Sequence, residues 1–212
     1  MSAVTQSRVP QEERSRVMRA RLLDSCVELL AEKGYAGTTT TLVSERAGVS
    51  RGAQLHHFPS KNDLVVAAVK HVTVTRSDAF DEAASQIDSR LPAGASRSRA
   101  VLQVLADHMS SEPFMAALEL WVAARTDPSL LESIGPLERE IGRSMHNATV
   151  ELLGVDESVP GTRELVQATL DLVRGLALAD IVSDDSRRRA GILDRWAGVL
   201  DDQLPLPGKA TR

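Results

Sequence analysis

Arg51 is followed directly by Gly52 and Ala53. A guanidinium is a planar fork of donors that matches the O6 and N7 acceptors of guanine, and two small neighbours let the backbone behind it come close to a partner surface. Ser50 can cap a helix whose first turn is Arg51, Gly52, Ala53 and Gln54, which would set the fork at a helix N-terminus. Thr41, Gln54 and His56 are near enough to add base or backbone contacts. The chemistry these residues suit together is the reading of base edges in a DNA major groove. Taken singly, each has an ordinary alternative: Arg51 as a surface arginine, His57 as a cap or filler of a small core.

Catalytic chemistry is not suggested. The sequence contains no glycine-rich phosphate loop, no HExxH helix, no nucleophile elbow and no paired cysteines, so neither an enzyme nor a cofactor or metal is expected. His56 and His57 are adjacent, which on a helix points them about 100° apart, too far to chelate one ion. His71, His108 and His146 are isolated in sequence. Cys26 is the only cysteine, so an intrachain disulfide is impossible. Its neighbours Leu22, Leu23, Leu29 and Leu30 point to a buried thiol, with redox sensing as the secondary reading.

Local signals define the elements that must hold Arg51. Thr39 can cap a helix from about Thr40 to Ala47, and Gly48 can end it in the left-handed conformation that glycine adopts without steric cost. The helix after Ser50 is short, with Leu55 and Phe58 its only large hydrophobic groups, and must lean on neighbours. From about Gln11 to Lys33 the doublets Leu22/Leu23, Cys26/Val27 and Leu29/Leu30 recur every three to four residues, marking an amphipathic helix that Gly34 stops. Residues 1–8 are polar; Arg8 and Arg14 suit either an arm reaching a phosphate backbone or minor groove, or a solvated tail.

The joint pattern of Gly34-Tyr35, Thr38-Thr39, Ala47-Gly48-Val49-Ser50, Arg51-Gly52, His57-Phe58 and Ser60-Lys61 resembles the DNA-binding domain of the tetracycline-repressor-like (TetR) family of bacterial transcription regulators. The resemblance implies phosphate contacts from Thr40, His57 and Lys61. It also implies a homodimer that binds a double-stranded operator. The sequence departs from the family pattern at Thr40, at Val43-Ser44 and at Gln54-Leu55, where Leu-Tyr is usual. That tyrosine typically donates to a phosphate, and Leu55 has no donor.

The 212 residues carry a net charge of −4, and 3% of them are aromatic. Residues 1–62 hold nine Lys/Arg against six Asp/Glu, and the remainder holds 16 against 23, a positive head on an acidic body. Apolar residues recur at helical spacings without alternating runs, so the expected fold is all-α. A three-helix helix-turn-helix domain (1–62) would precede a helical effector-binding and dimerisation domain (63–204) and a disordered tail (205–212). No apolar run approaches the roughly 18 residues of a membrane span, and the N-terminus lacks the apolar core of a signal peptide, which points to the cytoplasm.

Ser60 and Asp63 stand at capping-box spacing before a helix that could reach Leu91, unbroken or bent near 73–77. Lys61 lies in its first turn, where the helix dipole disfavours a cation. Leu91 to Ser96 reads as a break. Helices follow near 97–109 and 114–125, then one from Pro128 to Leu152 that Gly135-Pro136 should kink or split. Asp127 would cap that last helix. The segments 162–182 and 187–204 would pair antiparallel; the first is apolar on two sides, as expected of a dimer interface.

Polar groups on apolar stripes suggest a ligand pocket in the body. His108, Glu119, Arg125 and His146 would be polar anchors, with Met115, Trp121 and Met145 as apolar lining alongside Met109. For any one such residue, an internal pair such as Glu119 with Arg125 or Asp171 with Arg174 takes precedence. Whether Asp171, Arg174 and Asp180 are structural or functional is left open by the sequence. The function expected is a dimeric regulator, a repressor released from a near-palindromic operator by a small molecule. The alternative is a helical interaction module that has lost sequence-specific DNA binding.

Overall fold

The computed structural model describes residues 11–75, 77–87, 96–182 and 186–204, with the side chains of 73–79 left aside. The expectations for the arm at 1–8, the break after Leu91 and the tail at 205–212 lie outside these residues. Among the described residues all regular structure is helical: α1 (Gln11–Gly37), α2 (Thr40–Ala47), α3 (Arg51–His57), α4 (Lys61–Thr75), α5 (Ser77–Ser85), α6 (Arg97–Met109), α7 (Glu112–Ala124), α8 (Pro128–Leu153), α9 (Thr162–Asp180) and α10 (Ser186–Gln203).

Capping chemistry fixes most of the boundaries. The Thr39 hydroxyl accepts from the Leu42 N–H, that of Ser50 from Ala53, and that of Ser96 from Arg99. Asp127 Oδ1 accepts from the N–H groups of Ser129 and Leu130 at 3.0 and 3.1 Å. Ser60 and Asp63 form the reciprocal box, with Ser60 N bonded to Asp63 Oδ2 and Asp63 N to Ser60 Oγ, both at 3.1 Å. Gly34 interrupts α1 at φ 65° and ψ 177°, a conformation that an L side chain resists.

Of the two outcomes expected at Gly135-Pro136, the split is absent: α8 runs from Pro128 to Leu153 as one helix. Proline removes one N–H, leaving the Glu132 carbonyl without its usual donor, and its ring crowds the preceding turn. Gly135 presents no side chain to that crowding, and the remaining turns carry the helix through.

Two compact units form, the first from Met1–Thr73 with Ala116–Gly135, the second from Val74–Met115 with Pro136–Arg212. The chain passes between them within α4, α7 and α8, and in α8 the boundary falls between Gly135 and Pro136. In the first unit, α1 buries Leu22, Leu23, Cys26, Val27, Leu29 and Leu30, and Val43, Ala47, Val49 and Phe58 of the α2–α3 region are buried too. In the second, Val101, Leu102, Leu105 and Met109 of α6 share a core with Val166, Leu170 and Val173 of α9 and Leu193, Ala197 and Leu200 of α10. Trp196 Nε1 donates to Thr169 Oγ1 at 2.9 Å, and Arg189 pairs with Asp180 at 2.5 Å. As one position rises the other falls, so α9 and α10 run antiparallel.

Candidate nucleic-acid interface

α2 and α3 meet in a three-residue turn. Gly48 is left-handed at φ 64° and ψ 34°. Its N–H reaches Glu45 O at 3.2 Å, and Val49 N reaches Ser44 O at 3.0 Å. These bonds consume carbonyls that the end of α2 leaves free, and the buried Val49 anchors the turn. Arg46 ties α2 to α1 through two bonds of 2.7 Å to the Glu32 carboxylate. A bidentate pair of this kind fixes orientation as well as distance.

On that frame Arg51 is the first residue of α3, exposed and without a hydrogen-bond or ion-pair partner among the described residues. A Cβ added at Gly52 would meet nothing within 4 Å, so the approach beside the guanidinium is open. Thr41 and His56 are exposed, while Thr40, Ala53 and His57 are half-buried. The His57 ring lies 5.6 Å from His56 and 6.3 Å from Phe58. Burial, then the neighbouring His56 and Arg19, lower its pKa below 6.5. A neutral ring keeps one N–H, enough for one donated bond.

One expected contact is corrected. Gln54 is fully buried, and its Nε2 donates to the Phe58 carbonyl at 2.8 Å; from there it cannot touch a base edge. The signal available in the sequence is spacing: the buried Phe58, which closes α3, stands four residues on from Gln54. Leu55 instead points outward, 46% exposed. The Lys61 ammonium donates to the Tyr35 carbonyl at 2.6 Å and lies 3.7 Å from the centre of its ring. Burial lowers its pKa, while Cys26 and Asp127 act in the opposite direction. One of the three ammonium donors is thus used within the protein, tying α1 to α4, and two remain for a phosphate.

The seven residues expected around an effector are divided between the two units. Glu119, Trp121 and Arg125 belong to the first unit, and His108, Met115, Met145 and His146 to the second. Glu119 lies against Gly34, where an added Cβ would come within 2.7 Å of its Oε2. Arg125 is exposed, and Trp121 and Met115 are half-buried. His108 packs edge-on against Phe80 at 5.1 Å, and burial lowers its pKa. Met145 packs against the second core. His146 bonds to Glu157 at 2.6 Å and is the one member of the seven that lines the open cleft of about 510 Å³ beside α8 and α9. Internal pairs also account for Asp171 with Arg174 at 2.6 Å and Asp180 with Arg189.

The family described as bacterial regulatory proteins, tetR family, matches residues 22–68, the span from the middle of α1 through the turn and α3 into α4. The chain is 32% identical to the HTH-type transcriptional regulator CymR of Pseudomonas putida over 185 residues, covering 84% of this chain and 86% of that one. Among solved structures, a transcriptional regulator from Rhodococcus sp. Rha1 has the same fold, with a TM-score of 0.64 at 24% identity over 89% of this chain and 98% of that one. The multidrug binding protein EbrR, crystallised with imidazole, superposes with a TM-score of 0.58 at 21% identity over 98% of this chain and all of its own. With the helix-turn-helix built as described and the likeness extending through the second unit, this chain belongs to the tetR family of bacterial regulatory proteins.

Proposed function

We propose that the protein is a homodimeric repressor that reads a near-palindromic operator through α3 and leaves it when a small molecule binds. The observation that carries this reading is Arg51, an exposed guanidinium without a partner among the described residues, on the first turn of a helix whose adjacent Gly52 has open space around it. Thr41 and His56 stand beside it as further base contacts, and Thr40 and His57 as phosphate donors. Ala53, small and half-buried, permits close approach. Dimerisation through α9 and α10 is supported by Leu165 and Leu172, only partly buried on a second side of α9, and by Val182, exposed just beyond its end. Such a dimer would hold two copies of α3 about 34–36 Å apart, one turn of DNA, or somewhat further for a larger footprint.

Release requires the effector to favour the dimer that does not fit both half-sites, since equal affinity for both forms shifts nothing. EbrR, bound to imidazole in its crystals, supports a ligand role for this fold. His108, Met115, Met145 and His146 are the effector contacts proposed in the second unit, and Glu119, Trp121 and Arg125 those in the first. α4, α7 and α8, which run from one unit into the other, would carry the change to α3.

DNA bound by the protein from a random pool, followed by gel shifts at several salt concentrations, tests the reading. A shared half-site motif, lost with Arg51→Ala while non-specific binding persists, is the expected result. An unenriched pool would favour the second reading, an interaction module without sequence preference, for which exposed Leu55 in place of a phosphate-binding tyrosine is the supporting observation.

A further inference from the structure

We propose that the cleft beside α8 and α9 is a binding site for a small organic polyanion, a polycarboxylate, that shares only His146 with the effector contacts named above. The cleft, about 510 Å³ in volume, lies wholly in the second unit. That is ample for a small organic acid and much more than an inorganic ion needs.

Three guanidinium groups line it: Arg143 from α8, and Arg163 and Arg174 from α9. Their placement follows from helical register. Arg143 and Asn147 are four apart on α8; Arg163, Gln167, Asp171 and Arg174 follow one stripe of α9 at intervals of four, four and three. The polar groups of the two helices therefore face the same space.

Internal carboxylates do not balance this charge. Asp171 is taken by Arg174 at 2.6 Å. Glu157 is shared between His146 at 2.6 Å and Arg163 at 3.2 Å. Arg143 has no ion-pair partner among the described residues. The imbalance runs against its surroundings, since residues beyond 62 carry 23 acidic and 16 basic groups.

Clustered like charges repel, and an anion relieves that repulsion while using donors already in place. Arginine is the side chain best suited to this, because its fork engages a carboxylate through two parallel bonds. Asn147 and Gln167 can each donate or accept, which suits an acid that also bears a hydroxyl. The apolar contribution to the lining is limited to Leu170, itself buried in the second core, so a large aromatic ligand is poorly matched.

Calorimetric titration of the full chain with citrate, at constant ionic strength and with circular dichroism to verify folding, tests the proposal. A saturable isotherm, weakened about tenfold or more by Arg143→Gln and further by Arg143→Gln with Arg163→Gln, is expected. Inorganic phosphate should bind more weakly than citrate. No citrate binding, equal binding by the folded variants, or phosphate binding at least as tightly as citrate would each overturn it. The measurement uses no DNA, so it stands or falls separately from the operator reading.

Discussion

Asn62 Nδ2 donates to Ser129 Oγ at 3.3 Å, joining the first turn of α4 to the first turn of α8 across 67 positions of sequence. Both ends of this side chain are engaged, because Asn62 Oδ1 accepts from the Tyr35 hydroxyl at 2.8 Å. Ser129 in turn donates to Asp127 Oδ1 at 2.7 Å. Three segments distant in sequence are thus held by one amide. Asn62→Ala removes both bonds and should cost about 1–2 kcal/mol in chemical denaturation. Ser129→Ala should cost less, since its bond to Asn62 is long. A double-mutant cycle between the two measures their coupling directly.

Gly34 combines a left-handed backbone with a crowded environment. Alanine there would hold φ near 65° and bring its Cβ within 2.7 Å of Glu119 Oε2. At ψ 177° this is a region kept essentially to glycine, where alanine costs about 1–3 kcal/mol for its backbone alone, which lowers Tm by roughly 2–12 °C in a chain of this size. Adding Glu119→Ala should recover the part due to crowding and leave the backbone part. Full recovery in thermal melts would show that the conformation of Gly34 costs alanine nothing.

Gln54 gives the sharpest contrast with Arg51. Gln54→Ala should destabilise the protein by about 1–3 kcal/mol, because the buried Phe58 carbonyl loses its amide donor. The half-site motif selected from a DNA pool should be unchanged. A changed motif in a folded Gln54→Ala variant would restore this residue to the base-reading set.

The Cys26 thiol is fully buried, and its pKa is pushed up to about 12 by desolvation, slightly offset by Lys61. The thiolate is the reactive form, so alkylation by iodoacetamide at pH 8 should be far slower in the native protein than in urea. Mild peroxide should leave folded protein unmodified at this position. Rapid native labelling would revive the redox-sensing reading.

His108 makes stability depend on pH in a definite direction. Burial lowers its folded pKa below the reference value of 6.5. As pH falls through 6.5 the unfolded chain takes up a proton that the folded chain still refuses, so stability falls. His108→Leu should therefore flatten the decline in Tm between pH 7 and pH 5. The comparison with wild type isolates this histidine from other titrating groups.

What the sequence made legible was mainly local. Thr39, Ser50, Ser60 and Asp127 cap helices through partners two or three residues away, and such pairs can be read from spacing alone. The left-handed glycines at 34 and 48 are legible for the same reason. Lys61 looked available because the helix dipole argued against it, yet the carbonyl and ring that hold it belong to Tyr35, 26 positions earlier. Gln54 was assigned by its chemical type, and helical register overruled the assignment. Glu119 was read from its own stripe, whereas its placement depends on a turn far back in the chain. Contacts between distant segments leave no periodic trace, so the helix-turn-helix was readable and the partners of Lys61 and Glu119 were not.

The grouping of Ala116–Gly135 with α1 to α3 also bears on how this regulator could be rebuilt. A chimera cut just before α4 would transplant the base-reading turn without Glu119, which meets Gly34, and without Asn62, which bonds to Tyr35. The recipient body would have to supply a surface matching Tyr35 and Gly34. Exchange of specificity between relatives is then better made by replacing the exposed positions of α2 and α3 in place than by swapping a contiguous N-terminal segment.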